Sequence, residues 1–247
     1  MPSGIEPSNI SRPPRALCDA LAKIGSATLS SELAQKFGLR DVHMKGPRPL
    51  VAGRCVAGPA LTLQCMPKRE DLYGAAEYEN PELQLHRHVL YPTQPGDVVV
   101  VDARGDLGSG IFGEMMLTFF AGRGGVGVVI DGCIRDSAHA AKLDLGIWVT
   151  GVTPNYHAQT NIIPFAVNVP VACGGVLIMP GDIIVADDDG AIVVPIALAQ
   201  QLVDAASEHV EWEEFARIRL SEGGDLRKYY PLTEEVRAEY EAWRAAQ

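Results

Sequence analysis

Apolar positions along the chain fall into two rhythms. Leu17, Ala20, Leu21 and Ile24 recur at helical spacing after Pro13 and stop at Gly25. Ser30 can cap a second short helix that ends at Phe37 and Gly38. From Arg54 to Cys65 the run CVAGPALTLQC reads as a strand interrupted at Gly58-Pro59. The runs at 98–101 and 126–130 are almost wholly β-branched and lack polar alternation, so they predict strands buried on both faces. Between them Phe112, Met115, Met116, Phe119 and Phe120 stripe a helix predicted over 111–121, ended by Gly122 to Gly125. A short helix over 137–145 and a strand over 146–150 follow. Pro95-Gly96-Asp97 before VVVVD is echoed by Pro180-Gly181-Asp182 before IIVAD, so two strands start from the same turn. Asp187-Asp188-Asp189-Gly190 reads as a hairpin turn into a strand at 191–194.

The stretch from Lys68 to His88 is the most charged and least periodic, a mixture of loop and helix without an interpretable motif. The same holds around Tyr156-His157. Beyond Pro195 the chain is helical and charged, broken near Gly223-Gly224 and Pro231. The pattern predicts an α/β chain with a strand-rich core and helices at both ends, forming one domain over 1–247. Residues 1–12, polar and Pro-rich, read as a flexible arm. Residues 196–247 read as a helical extension amphipathic enough to pack on a neighbouring subunit.

Composition narrows the function. The chain has 247 residues, 47% hydrophobic and 21% charged, which suits one large core. Its net charge of −10 argues against a non-specific nucleic-acid binder, which needs clustered Lys and Arg. No apolar run reaches the roughly 18 residues of a membrane span, and the N-terminus lacks the apolar centre of a signal peptide. Cys18, Cys55, Cys65, Cys133 and Cys173 are odd in number and widely spaced, as reduced thiols rather than a disulfide or zinc set. A cytoplasmic protein without membrane or nucleic-acid partners is expected.

Two segments carry chemistry. Gly108-Ser109-Gly110-Ile111-Phe112-Gly113 matches the dinucleotide fingerprint, with Asp131 as the acid after the next strand. However, five residues separate Asp102 from Gly108, where that fingerprint needs a tight turn directly on the strand. What survives either way is a helix start near Gly113, whose unpaired N–H groups and dipole suit a carboxylate or phosphate. Glu114 in that first turn either complements the dipole or takes a catalytic task. Arg135-Asp136 follows the next buried strand, at the same sheet edge. Arg offers a planar fork to a carboxylate, and a lone Asp can anchor a hard cation completed by water and substrate oxygens. The plainer alternative is a helix cap and a surface ion pair.

The segment GEMMLTFFAGRGGVGVVIDGCIRD resembles the signature of the RraA-like proteins, together with AGPALTLQC, PGDVVVVD and VNVPVACGGVLIMPGDIIVADDDGAIVVP, over about residues 25 to 220. That family includes class II 4-hydroxy-4-methyl-2-oxoglutarate/4-carboxy-4-hydroxy-2-oxoadipate aldolases and regulators of ribonuclease E. The resemblance implies an α/β/β/α sandwich, assembled as a homotrimer or homohexamer with sites between subunits. It implies that amides of Gly113, Glu114, Met115 and Met116 hold a pyruvate-like carboxylate. Arg135 would bind the oxo-acid end, and Asp136 would ligate Mg²⁺ or Mn²⁺. Glu213 or Glu214, from a neighbour's C-terminal helix, are candidate acids near the metal.

The implied activity is retro-aldol cleavage of a 4-hydroxy-2-oxo acid to pyruvate and a second oxo acid, with oxaloacetate decarboxylation on the side. The aldolases continue Arg-Asp-x-x-Asp/Glu, whereas this chain has His139 at the last position. An imidazole there shares a helix face with Asp136 and can hydrogen-bond a water beside the metal, but it supplies no negative charge. The alternative of a non-catalytic regulator of an RNA-processing enzyme therefore stays open.

Overall fold

The long strand β2 (Val56–Pro67) is the spine of the sheet. On one side it runs parallel to β3 (Val98–Asp102), which is followed by the parallel strands β4 (Gly127–Ile134) and β5 (Gly146–Val152). The short β1 (Arg48–Pro49) closes that edge antiparallel to β5. On its other side β2 pairs with β9 (Ile183–Asp187), which forms a hairpin with β10 (Gly190–Val194), while β6 (Ile162–Val167) pairs with the far end of β2. A separate hairpin joins β7 (Val171–Cys173) and β8 (Val176–Ile178). The computed structural model describes residues 9–71, 80–156 and 162–246.

The unbroken valine run of β3 is needed because both of its faces are covered. Val98 and Val100 join one apolar core, and Val99 and Val101 join the other. The sheet also curls until its ends meet. Trp148 on β5 donates its Nε1–H to the Asp187 carbonyl at 2.7 Å, and Arg48 on β1 donates to the Asp189 carbonyl at 3.1 Å. Every residue of Ile183 to Ala186 is buried, so β9 faces apolar groups on both sides. One side meets the helices Arg15–Ile24 and Ser26–Phe37; the other meets Val100, Val129 and Trp148 across the interior. The outer face of β3 and β4 is covered by the helix Glu114–Gly122 through Leu117 and Phe120. The layers are thus helix, strand, strand and helix, the α/β/β/α sandwich with flanking helices.

Several local expectations change for identifiable reasons. The second helix begins at Ser26 rather than near Ser30, because Asp187 of the distant hairpin accepts both the Ser26 N–H at 2.7 Å and its hydroxyl at 2.6 Å. Strand β2 passes straight through Gly58-Pro59. Gly58 is needed there because a Cβ would lie 1.9 Å from the Gly96 carbonyl oxygen. The Pro-Gly-Asp echo is structural. Asp97 accepts from the Gln94 N–H and Asp182 from the Met179 N–H, each at 2.9 Å, over a glycine of positive φ. The helix expected over 137–145 is only Ser137–Ala140.

Both ends of the described chain are packed on the body. Of the arm predicted over 1–12, residues 9–12 are held on the body. Ile10 is buried, and Arg12 grips the Asp97 carboxylate with two hydrogen bonds of 2.9 and 2.8 Å. The C-terminal helix Ala199–Ser221 spends its apolar side on its own chain, burying Leu202 and Ala206 with the N-terminal helices. The chain then folds back, so Phe215 packs against Tyr229, Tyr240 and Trp243. Ile218, Leu226 and Tyr230 of this extension remain exposed. Among the described residues no helix is long and apolar enough to cross a membrane.

Candidate functional site

Strands β3 and β4 are parallel, so their carboxyl ends lie at one edge of the sheet. The loop leaving β3 returns to this edge and continues the sheet: Gly110 bridges Cys133 on one side and Tyr156 on the other. The Ile111 N–H donates to the Cys133 carbonyl at 3.0 Å, and Phe112 accepts from the Arg135 N–H at 3.0 Å. These bonds hold residues 111 and 112 extended, so the helix predicted from 111 starts at Glu114. Gly113 precedes it with φ −111° and ψ 179°. A Cβ on Gly113 would lie 2.6 Å from Asp136 Oδ2 and 2.9 Å from Arg135 Nε, so glycine is what lets the two segments meet.

Asp136 sits in the left-handed region, φ 58° and ψ 34°, a conformation Asp tolerates better than most residues. That geometry turns its side chain away from its own short helix, where it makes no cap. Instead Asp136 Oδ2 accepts the N–H of Glu114 at 3.2 Å, at the positive end of the neighbouring helix. Arg135 Nε lies 3.6 Å from the same oxygen, with both side chains about two-fifths exposed. Asp136 Oδ1 has no protein donor among the described residues. His139 lies beside the second acid, its Nδ1 3.8 Å from Glu114 Oε2.

Glu114, Arg135 and Asp136 border one cavity of about 280 Å³. Gly113, Glu114, Met115, Met116, Arg135 and Asp136, all singled out from sequence, line it together. One role changes, because the Glu114 amide expected to hold a substrate carboxylate is given to Asp136. The amides of Met115 and Met116, in the first turn, have no intrahelical partner and remain for a ligand. His139 borders a second depression that Arg135 and Asp136 also line. Glu213 and Glu214 are remote within the protomer. Glu213 accepts from His209 at 3.1 Å in the opposite helical layer, so either acid could reach this cavity only from another copy.

Four further lining residues carried no sequence signal: Gln84, His86, Arg87 and Tyr156. They come from the short helix Leu85–His88 with Gln84 just before it, and from the segment after β5. Only their convergence in space marks them.

The dinucleotide reading does not survive the geometry. Gly110 is required because a Cβ would strike the Asn155 carbonyl at 2.4 Å, so its role is packing. Asp131, the supposed ribose ligand, is buried and accepts from the N–H groups of Ala103 and Gly174. Burial pushes its carboxyl up to about 6, against the opposing pull of these amides. Asp102 is likewise raised by burial, and its carboxylate accepts from the Arg104 and Ala172 amides. Both acids tie loops together, and neither lines the cavity. Cys18, Cys65, Cys133 and Cys173 are buried free thiols and Cys55 an exposed one. Burial raises the four buried thiols above the ordinary thiol range, and partial desolvation beside the Asp187 and Asp188 carboxylates raises Cys55, which suits inert rather than nucleophilic groups. Among the described residues no three His, Cys, Asp or Glu side chains stand together as a closed metal cage.

Comparison with known proteins agrees with this construction. The family described as RraA-like, aldolase/RraA, matches residues 15–193. A Halalkalibacterium halodurans protein named "Putative 4-hydroxy-4-methyl-2-oxoglutarate aldolase" is 35% identical over 161 residues, 65% of this chain and 70% of the relative. The crystal structure of Streptomyces coelicolor RraAS2, described as an unusual member of the RNase ES inhibitor RraA family, is 45% identical. It has a TM-score of 0.76 and covers 85% of this chain and 99% of its own. An uncharacterized protein from Pseudomonas syringae pv. tomato is 25% identical with a TM-score of 0.73, covering 89% of this chain and 99% of its own. A matched profile over most of the chain, a shared fold and an Arg135-Asp136 pair seated on a helix start place this chain in the RraA-like family.

Proposed function

We propose that the protein is a divalent-metal-dependent lyase. It cleaves a 4-hydroxy-2-oxo acid to pyruvate and a second oxo acid, and decarboxylates oxaloacetate as a side reaction. The observation that carries this reading is the convergence, in one cavity, of a helix N-terminus, the Arg135 guanidinium and the open oxygen of Asp136. The name of the 35% identical relative supports the aldolase class.

The donor set fits a hard cation. Asp136 Oδ1 is open, the Glu114 carboxylate borders the same cavity, and Mg²⁺ is satisfied by one or two carboxylates completed by water and substrate. Asp136 would hold Mg²⁺ or Mn²⁺, with Glu114 beside it. When bound, the cation supplies Lewis-acid polarisation of the 2-oxo group. The chain's residues do the rest. Arg135 engages the substrate carboxylate with its fork, and the Met115 and Met116 amides donate to the same anion. The 4-hydroxyl gives up its proton to solvent as its oxygen becomes the carbonyl of the second oxo acid, the C3–C4 electron pair moves toward the 2-oxo oxygen, and C3 then takes a proton to give pyruvate. The negative charge on the 2-oxo oxygen grows near the positive end of the Glu114–Gly122 helix, where fixed dipoles need no reorganisation. Assembly as a homotrimer or homohexamer would let Glu213 or Glu214 of another copy approach this cavity.

Pyruvate release from a panel of 4-hydroxy-2-oxo acids tests the reading. Release is expected with Mg²⁺ or Mn²⁺ and none in excess chelator; full turnover in chelator, or no turnover with any metal, overturns it. The 45% likeness to a protein of an RNase inhibitor family, together with His139 in place of an acid, favours a second reading. That reading is a non-catalytic regulator of an RNA-processing enzyme. It predicts no pyruvate release, and slower RNA cleavage by such an enzyme on titration with this protein.

A further inference from the structure

A separate polar cavity, of about 320 Å³, lies in the helical layer opposite the candidate site, where the C-terminal fold-back meets the helices Ser26–Phe37 and Ala199–Ser221. Apart from Glu32 and Lys36, every described residue that lines it lies beyond residue 193, where the family match ends. Its volume falls within the roughly 300–1,000 Å³ of small-molecule sites. The wall divides by chemistry. Trp212, Leu232 and Tyr240 supply apolar surface, and Trp212 stands in a row of rings, with His209 at 4.8 Å and Tyr230 at 5.7 Å between centroids. Both nitrogens of His209 are already engaged, Nδ1 with Glu32 at 2.9 Å and Nε2 with Glu213 at 3.1 Å, so it adds a ring face rather than a donor. The available donors are Lys36 and Arg237. The buried Glu32 carboxylate pairs with Lys36 Nζ at 2.8 Å, and the Ala205 carbonyl accepts from the same ammonium at 3.1 Å. These contacts fix the ammonium and leave one of its three protons for a ligand. Arg237 uses only Nε, toward the exposed Glu234 carboxylate at 3.2 Å, and its terminal nitrogens make no hydrogen bond to the described residues.

We propose that this cavity binds a small aromatic carboxylate and thereby fastens the C-terminal fold-back to the helix Ser26–Phe37. The ring lies against Trp212, Leu232 and Tyr240, and the carboxylate takes the spare donors of Lys36 and Arg237. The acids behind these donors set the charge of the ligand. Glu32, Glu213 and Glu234 repel a second negative charge, so a monoanion is favoured over a phosphate. The two cations come from different parts of the chain, Lys36 from an N-terminal helix and Arg237 from the start of the last helix, Arg237–Ala245. A carboxylate between them is therefore a bridge. Its binding favours the packed tail by as much as it prefers that state to the open one.

Calorimetric titration of the full chain tests this with benzoate, with acetate as a carboxylate lacking the ring, and with benzyl alcohol as a ring lacking the charge. Benzoate is expected to bind at least about 10-fold more tightly than either. Lys36 also neutralises the buried Glu32, so Arg237→Gln, at an exposed ion pair, is the variant that removes a donor without unsettling the fold. It is expected to weaken benzoate about 10-fold, and Trp212→Leu to bring benzoate down to the level of acetate. Saturating benzoate is expected to slow proteolysis of the chain beyond Gly223 about fivefold in the native protein, and to have less effect in Arg237→Gln at the same concentration. No binding of benzoate, binding no tighter than that of acetate, or binding indifferent to either substitution overturns the site. Arg135→Gln is the control for the cavity at the strand ends. Benzoate binding lost in that variant means that the acid sits there, and the proposal fails. Benzoate bound with an unchanged rate of proteolysis overturns the bridge between tail and helix.

Discussion

Asp136 and Glu114, 22 residues apart in sequence, are joined by a single bond. The Asp136 carboxylate accepts the Glu114 amide at 3.2 Å and so occupies the first position of a helix start. This contact converts two adjacent strand ends into one site. It also leaves the second Asp136 oxygen without a protein donor among the described residues.

The Asp136 carboxylate should be needed for turnover but not for folding. Asp136→Asn keeps an acceptor for the Glu114 amide and tolerates the left-handed backbone, so its midpoint of thermal unfolding should move by no more than about 2 °C. Its rate should fall at least about 10³-fold, since an amide ligates a hard cation poorly. Asp136→Ala should in addition lose about 1 kcal/mol of stability from backbone strain at φ 58°. A near-normal rate in the Asn variant would mean that Asp136 only anchors the helix.

Gly113→Ala places a methyl group 2.6 Å from Asp136 Oδ2 and 2.9 Å from Arg135 Nε. Neither side chain can stay where it is, and both are partly exposed, so they should swing outward rather than unfold the sheet. The expected result is loss of turnover with stability reduced by no more than about 1 kcal/mol, measured by urea denaturation alongside the pyruvate assay. A variant with unchanged kcat/KM would place the reaction elsewhere.

His139 stands 3.8 Å from the Glu114 carboxylate, close enough for a substitution there to be felt at the cavity mouth. His139→Asp adds a negative charge beside Glu114 and Asp136, and should tighten Mg²⁺ or Mn²⁺ about tenfold by calorimetry. An unchanged dissociation constant would put His139 outside the site.

Asp131 makes a pH prediction. Burial raises its carboxyl to about 6, whereas an unfolded chain offers about 3.9. The folded state therefore holds this proton more tightly. Its contribution to stability is complete below about pH 4 and is lost as pH rises through about 6, a change of about 3 kcal/mol at most. Asp131→Asn cannot titrate. The stability difference between the two chains should thus shift by about 2–3 kcal/mol between pH 4 and 7 in urea denaturation. A pH-independent difference would show that Asp131 stays ionised throughout.

The C-terminal fold-back rests on Phe215, fully buried against Tyr229, Tyr240 and Trp243. Phe215→Ala should cost about 3–5 kcal/mol and expose the chain beyond Gly223 to proteolysis. Undiminished resistance to protease would mean that the tail is held by other contacts.

What the sequence by itself determined is what local chemistry dictates. The valine runs could only be strands covered on both faces, and the Pro-Gly-Asp turns close on their own backbone through Asp97 and Asp182. Gly113 and Arg135-Asp136 were legible as neighbours because consecutive parallel strands deliver their ends to one edge. Tertiary structure decided the rest, through contacts between residues far apart in sequence. Asp187 starts a helix 161 residues earlier, and no cap motif within that helix could reveal it. Asp136 takes the Glu114 amide that a ligand was expected to use, because a left-handed backbone at one residue redirects its side chain. Arg87 and Tyr156 reach the cavity from segments without periodicity. Their positions depend on how the twist of the sheet and the register of β2 accumulate along the chain, a sum that no local pattern encodes.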